Sequence, residues 1–181
     1  MIAAQSALAE GFFCLTTHRD FDDDVRTPWQ EAGRRLQALL ESRGVPDAAL
    51  AFAAQVHGSR VAAVSHAEEA LQRVEDCDGL ATSDSGLFLV IRTADCLPIV
   101  LVDREAGVCA ALHSGWRGSY QNILLRGIET MESLGACRQH ITGWIGPSIC
   151  MENYEVGREL AERFAEAYGR LGSFLEGRRL D

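Results

Sequence analysis

The chain has 181 residues and a mass of 19.8 kDa, of which 47% are hydrophobic and 24% charged, enough apolar sequence for one folded domain with a core. Acidic residues outnumber basic ones by 26 to 17 and no basic run is present, so we expect no nucleic-acid partner. All 17 basic residues are arginine, which excludes chemistry that needs lysine, such as Schiff-base formation or P-loop phosphate binding.

Hydrophobic periodicity and turn residues predict three helices and seven strands. The strongest helix signal begins at Pro28, places Trp29, Leu36 and Leu40 on one face, and ends before Gly44. The second helix is predicted at residues 119–134, with Ser119 as its N-cap and Gly135 as its end. Along the chain, the predicted elements are a strand at 12–16, a helix at 28–43, strands at 50–56, 60–65, 87–92, 97–102 and 108–112, the helix at 119–134, a strand at 141–145 and a helix at 156–171.

Several predicted strands are apolar on both faces, as in residues 88–91 and 98–102. Strands of this kind lie between other layers rather than facing water. We therefore predict an α+β fold class: a single domain of mixed β-sheets in a layered sandwich with flanking helices, in an α/β/β/α-like order.

The sequence also predicts a cytoplasmic protein with no membrane partner. Its longest stretch without charge, residues 139–151, is shorter than the ~18 apolar residues of a membrane span. Glu10 interrupts the position where the apolar segment of an export signal would run. The six cysteines are widely spaced and form no CxxC pair, which is typical of reduced thiols.

Three potential metal ligands each lie where an apolar run gives way to glycine or proline: His57 in QVHGSRV, Cys96 in RTADCLPIV and His113 in AALHSGWRGS. Two imidazoles and a thiolate suit Zn²⁺ or copper, and three protein ligands with a fourth position free are typical of catalytic zinc. Their wide separation in sequence is not a metal signature by itself. Buried histidines and a buried unreactive thiol are the alternative interpretation.

Four ordered motifs of this sequence resemble the YfiH-like laccase-domain family: QVHGSRV, DGLATSDSGLFLVIRTADCLPIVLVD, ALHSGWRGS and GPSICMENYEVG. Members of that family are described as polyphenol oxidases and as zinc-dependent purine nucleoside phosphorylases with adenosine deaminase activity. The resemblance covers about residues 11–157 and places the metal ligands of the family on His57, Cys96 and His113. It implies a zinc enzyme, with copper as the alternative, that takes a purine nucleoside and phosphate.

Chains of the family continue past the third helix with a further strand, a cysteine pair and an aromatic-arginine segment, which do not follow in this sequence up to Asp181. We therefore expect residues 1–181 to form a single catalytic domain without the C-terminal segment of the family. The oligomeric state is left open.

The two expected reactions need different groups. An open zinc position ionises water near neutral pH, which supplies a nucleophile for the deamination of adenosine. Phosphorolysis of adenosine, inosine or methylthioadenosine also needs an anion site. Gly115 and Gly118 allow backbone amides to approach an anion, Arg117 adds positive charge, and the predicted helix from Ser119 would point its N-terminus there. An ion-pair role on the surface is the alternative for Arg117.

Further candidates follow from their position beside the three ligands. Asp95 precedes Cys96 and is predicted to act as a general base or to orient an imidazole, with backbone hydrogen bonding as its alternative. Gln55 would share a strand face with His57. An Asp-Gly pair is also a common turn, which is the alternative for Asp78. Substrate contacts are predicted for Gln55, Asp78, Arg92 and Ser114.

Three other functions fit the same residues. A copper-dependent polyphenol oxidase would use the His₂Cys set, but a multicopper enzyme needs a second imidazole-rich cluster, and only three further histidines are present. A metal-free hydrolase would use Cys96 as nucleophile and His113 as base. An inactive nucleoside-binding module is the remaining alternative.

Overall fold

The structure is a computed structural model that describes residues 27–66 and 69–169 in full and the backbone of residues 2–9 and 12–17. Its strands are β1 (Ile2–Ala9), β2 (Phe12–Thr17), β3 (Ala49–Ala53), β4 (Val61–Ala63), β5 (Leu71–Val74), β6 (Gly79–Thr82), β7 (Leu87–Val90), β8 (Leu97–Asp103), β9 (Val108–Ser114) and β10 (Thr142–Ile145). Its α-helices are α1 (Trp29–Ser42), α2 (Trp116–Tyr120), α3 (Ile123–Ser133) and α4 (Arg158–Tyr168).

The strands in the described part of the chain form three sheets. A five-stranded sheet has the order β10-β8-β9-β6-β4, in which only the β6–β4 pair is parallel. A three-stranded sheet has the order β5-β3-β7 and is parallel throughout. Strands β1 and β2 pair with each other in antiparallel orientation.

Alternate residues of one strand pack into different hydrophobic clusters, which places the sheets and helices in layers. In β3, Leu50 and Phe52 pack with α1, whereas Ala49 and Ala51 pack with residues of the five-stranded sheet. In the five-stranded sheet, Leu112 belongs to the cluster that includes residues of α3. Because successive side chains of a strand point to opposite faces, the order is α1, three-stranded sheet, five-stranded sheet, α3. The predicted α/β/β/α-like order is therefore confirmed.

Helix α4 packs against α2 through aromatic side chains. The ring of Tyr120 lies 5.4 Å from that of Phe164 and 6.4 Å from that of Tyr168, measured between ring centroids. The Tyr168 hydroxyl lies 2.9 Å from the Tyr120 carbonyl oxygen and 3.2 Å from that of Ser119. These contacts fix α4 beside the short helix that follows β9.

The predicted helices are present, and one of them is divided. Residues 28–43 correspond to α1, and residues 156–171 to α4, although residues 170 and 171 lie outside the described ranges. The predicted helix at 119–134 consists of α2 and α3, separated by Asn122 with φ +59°. Asparagine tolerates this left-handed conformation better than most residues. Ser119 therefore lies inside α2 and the predicted N-cap is wrong, whereas Gly135, with φ +99°, ends α3 as predicted.

All seven predicted strands are present, and three strands were not predicted: β1, β5 and β6. Strand β6 is four residues long and begins at the glycine of an Asp-Gly pair that also fits a turn. Its pairing with β4 and β9 makes it a strand. The strand predicted at residues 50–56 ends at Ala53, so the residues before β4 form a loop. Among the described helices, none has the length and apolar character needed to cross a membrane.

A buried carboxylate connects the β8–β9 turn to the end of the α3 region. Asp103 has no exposed surface and accepts hydrogen bonds from the backbone N–H groups of Glu105, Ala106 and Cys137, at 3.0, 3.2 and 2.7 Å. These bonds, above all the one from Cys137, lower the pKa of Asp103, although burial acts in the opposite direction. The ionised carboxylate therefore stabilises the folded chain.

Replacement of Asp103 by asparagine tests this contribution. Because the folded-state pKa is lowered, the stabilisation is present above the ordinary pKa of 3.8 and is lost as the pH falls below that value. We expect Asp103→Asn to lower the melting temperature at pH 7. We expect the difference in melting temperature between this variant and the unchanged chain to become smaller in acid. Thermal unfolding followed by circular dichroism over this pH range measures both effects, and a constant difference would contradict the prediction.

Leu112 is the packing centre between β9, β6 and α3. It is fully buried, and a Cβ added at Gly79 or Gly127 would lie 2.6 or 2.7 Å from its methyl carbons. We expect Leu112→Ala to lower the free energy of unfolding by about 2–5 kcal/mol because it leaves a cavity in the core. Leu125→Ala, at a position 41% exposed on α3, is the control and should change it by about 0.5 kcal/mol. Urea denaturation provides the comparison.

Candidate metal site

Four chain segments meet at one edge of the five-stranded sheet, where β9 ends and β4, β6 and β8 begin. The register pairs Leu97 with Ser114, so Cys96 lies one residue further along, opposite the residue that follows β9. The same geometry places Asp78, just before β6, beside His113, whose backbone N–H donates to the Asp78 carbonyl oxygen at 2.7 Å. Antiparallel pairing thus gathers residues that are far apart in sequence.

The three predicted metal ligands come together at this edge. One ligand atom from each of His57, Cys96 and His113 lies within 4.8 Å of the other two. The rings of His57 and His113 are edge-to-face, with centroids 4.9 Å apart. His113 is buried, Cys96 is half-buried and His57 is exposed, so the group is open to solvent on the His57 side.

The donor set fits a single ion of the zinc or copper type. Two imidazole nitrogens and one thiolate sulfur are soft ligands that both metals accept, and zinc binds them at about 2.0–2.3 Å. Three protein ligands leave a further coordination position for a reactant.

Asp78 holds two parts of the site together. Its Oδ1 accepts hydrogen bonds from His113 Nδ1 at 2.8 Å and from the His57 backbone N–H at 2.9 Å. Its Oδ2 accepts from the backbone N–H groups of Gly58 at 2.7 Å and Val56 at 3.2 Å. The Asp78 side chain has no exposed surface. A buried carboxylate with four donors is fully satisfied.

The backbone of the His57 loop is unusual. His57 has φ +59°, a left-handed conformation that few non-glycine residues adopt. This conformation lets successive N–H groups of Val56, His57 and Gly58 point at one carboxylate. The hydrogen bonds to Asp78 compensate the backbone strain and fix the position of the His57 Cα, from which the side chain extends.

Two glycines allow the segment after β9 to approach the ligands closely. A Cβ added at Gly115 would lie 3.1 Å from His57 Cδ2 and 3.2 Å from Cys96 Sγ. A Cβ at Gly118 would lie 2.8 Å from the carbonyl oxygen of Gly58, closer than real side chains come. The sequence predicted these glycines as an approach for an anion, and the structure gives them a packing role beside the ligands.

The pKa shifts follow from burial and charge. Burial lowers the pKa of His113 and His57 acts in the same direction, whereas Asp78 opposes them, so a neutral imidazole is favoured. Burial raises the pKa of the Cys96 thiol, and the negative charges of Asp95 and Asp78 raise it further. A thiolate at Cys96 therefore needs a compensating cation, which is what a metal supplies.

The fourth sequence motif lies along the Cys96 side of the site. The Gly146 N–H donates to the Pro98 carbonyl at 2.9 Å and the Ile149 N–H to the Asp95 carbonyl at 3.0 Å. Further along, burial raises the pKa of Tyr154, and the Cys96 charge raises it more. Tyr154 was not among the predicted site residues, although the GPSICMENYEVG motif that contains it was a signal for it.

The side-chain amide of Gln55 forms hydrogen bonds with the backbone of Arg92. Gln55 Nε2 donates to the Arg92 carbonyl at 2.7 Å, and Gln55 Oε1 accepts from the Arg92 N–H at 2.8 Å. The Arg92 guanidinium donates to the Thr27 carbonyl at 2.8 Å. Because β3 ends at Ala53, the expectation that Gln55 shares a strand face with His57 is wrong.

The remaining predicted residues lie near the end of β9 and the start of β8. Ser114 is buried, with its hydroxyl 2.8 Å from that of Ser119. Arg117 is exposed and its guanidinium carbon lies 4.3 Å from the centroid of the Trp116 ring. The helix after the motif begins at Trp116 and not at Ser119. Asp95 is exposed beside Cys96. The catalytic and substrate roles of these residues stay predictions.

Comparison with known proteins finds relatives over most of the chain. Residues 19–179 match the family model described as multi-copper polyphenol oxidoreductase laccase. A purine nucleoside phosphorylase from Deinococcus radiodurans is 42% identical over 71% of this chain and 52% of its own length. The adenosine deaminase RL5, from an unknown prokaryotic organism, is 39% identical over 67% of this chain and 48% of its own length.

A solved structure also resembles this chain. YlmD from Geobacillus stearothermophilus has a TM-score of 0.63 and 26% identity, and the match covers 79% of this chain and 56% of that one. The chain thus spans about half the length of the curated relatives it matches.

A methyl group at Gly115 tests the close packing at the site. We expect Gly115→Ala to push His57 and Cys96 apart and to weaken Zn²⁺ binding about tenfold or more, measured by competition with a chromogenic chelator. Gly157→Ala is the matched control, because Gly157 also precedes a helix with negative φ and a Cβ there meets nothing within 4 Å. Equal affinities in the two variants would contradict the packing argument.

Proposed function

The chain belongs to the multi-copper polyphenol oxidoreductase laccase family, and we propose that it is a metal-dependent enzyme that acts on purine nucleosides. The proposed reactions are phosphorolysis of the N-glycosidic bond of adenosine, inosine or methylthioadenosine, and deamination of adenosine. The clustering of His57, Cys96 and His113, whose ligand atoms lie within 4.8 Å of one another, carries the proposal. Similarity to proteins named purine nucleoside phosphorylase and adenosine deaminase supports the substrate class.

Zinc is the proposed metal, held by His57, Cys96 and His113, with copper as the alternative. Bound there, zinc supplies a Lewis acid and ionises water near neutral pH. A reduced thiol is required at Cys96, which agrees with a protein that works in the cytoplasm, where thiols stay reduced. The proposed partners are the nucleoside and phosphate.

The protein groups proposed for catalysis lie around these ligands. In deamination, a C–O bond forms at C6 of the purine and the C–N bond to the amino group breaks. The exposed carboxylate of Asp95 is proposed to take the proton from the attacking water and to return it to the leaving ammonia. Its position directly before Cys96 supports this role.

Phosphorolysis requires a different arrangement of charge. A phosphate oxygen bonds to C1′ of the ribose, the bond from C1′ to the purine N9 breaks, and the leaving purine takes up the proton that the phosphate gives up. Arg117, exposed at the start of α2, is the residue proposed to pair with the phosphate. Substrate contacts are proposed for Arg92 and Ser114, and for Gln55, whose amide orients the Arg92 backbone.

The test incubates the purified protein with adenosine, with and without phosphate, and measures bound metal and products. We expect about one zinc per chain, inosine in both conditions, and adenine with ribose 1-phosphate only when phosphate is present. Cys96→Ala removes a ligand, so it should leave well under one zinc per chain and reduce both activities by about 100-fold. Cys137→Ala, at an exposed thiol, is the control and should keep them.

Other results of this experiment would replace the proposal. A metal-free protein that a thiol-alkylating reagent inactivates is a cysteine hydrolase that uses Cys96 and His113. Copper in the site with oxidation of phenols but no nucleoside turnover indicates a polyphenol oxidase. Nucleoside binding without any product indicates a binding module.

A further inference from the structure

We infer that Asp78 is a positioning residue that orients two of the three candidate ligands through one carboxylate. The inference rests on the metal-dependent function proposed above. It gives Asp78 a different role from the substrate contact that the sequence analysis predicted for it. Asp78 touches His113 through the imidazole and His57 through the backbone, and all four of its hydrogen bonds are to groups of this chain.

The first part of the argument concerns the tautomer of His113. A carboxylate oxygen accepts hydrogen bonds, and Asp78 Oδ1 lies 2.8 Å from His113 Nδ1. The proton of a neutral His113 therefore lies on Nδ1, which leaves the lone pair on Nε2 free to bind an ion. The hydrogen bond also restricts rotation of a ring that is already buried.

The second part concerns the loop that carries His57. The N–H groups of Val56, His57 and Gly58 all donate to the Asp78 carboxylate, at 3.2, 2.9 and 2.7 Å. These bonds involve the left-handed residue itself and the residue on either side of it, so they stabilise the conformation of the loop at His57. The carboxylate therefore positions the backbone of His57, from which the imidazole extends, although it does not touch that ring.

The third part explains why Asp78 is not free to bind a substrate. Both of its oxygens accept two hydrogen bonds each from this chain, and its side chain has no exposed surface. A ligand would have to displace a backbone amide or the His113 ring. The carboxylate faces the chain on every side and acts only through the residues it holds.

Asp78→Asn is the direct test because asparagine has the same shape. One of its two polar atoms is an NH₂ group, which cannot accept from the N–H groups that face that position. We expect Zn²⁺ affinity, measured by chelator competition, to fall about 10- to 100-fold. In the Co²⁺-loaded variant we expect the d–d absorption bands to shift, whereas the thiolate-to-metal band from Cys96 should remain.

Asp103→Asn is the matched control. Asp103 is as buried as Asp78 and also accepts hydrogen bonds from three backbone N–H groups, but it lies in the β8–β9 turn and not at the candidate metal site. Both variants should lose thermal stability. Only Asp78→Asn should change the Zn²⁺ affinity and the Co²⁺ spectrum, which separates positioning from general destabilisation.

Measurement on the unchanged chain covers the case in which Asp78→Asn does not fold. In protein labelled with ¹⁵N-histidine, we expect the His113 Nδ1 proton to persist after Zn²⁺ binding and the Nε2 resonance to shift. Coordination through Nδ1, or an unchanged affinity in a folded Asp78→Asn, would overturn the positioning role alone. Failure of the unchanged chain to bind any metal would instead contradict the proposed function on which this inference rests.

Discussion

The antiparallel register of β6, β8 and β9 is the constraint on which the candidate site depends. It places the start of β8 and the start of β6 beside the end of β9, so that Cys96 and Asp78 both lie next to the His113 region. Parallel pairing of β4 with β6 then brings the His57 loop to the same edge. A slip of one residue in either antiparallel pair would turn His113 or its neighbour to the wrong face.

The layers of the fold maintain that register. Leu112 precedes His113 in β9 and packs against α3, while Leu80 of β6 packs between the two sheets. Because these side chains are buried on opposite faces, neither strand can shift without exposing a large apolar residue. Residues of the apolar core and residues of the polar edge therefore follow one another directly along the same strands.

At the edge itself, polar groups replace apolar packing. The buried carboxylate of Asp78 is compensated by backbone amides and an imidazole, and glycines at positions 115 and 118 let the segment after β9 come close. Buried charge is tolerated only when it is satisfied in this way. The same contacts leave His57 exposed and His113 buried, which makes one side of the ligand group accessible to a reactant.

The sequence by itself determined where the helical segments lie, most strands and the layered α+β class, because periodicity is a local property. Residue chemistry offered His57, Cys96 and His113 as candidate metal ligands, and the four motifs that resemble a known family supported them. Only the tertiary structure decided that β6 is a strand, that Asn122 separates two helices and that Gln55 pairs with the Arg92 backbone. It also decided what Asp78 contacts, since a hydrogen bond between residues 35 positions apart depends on strand pairing and leaves no trace in a local pattern.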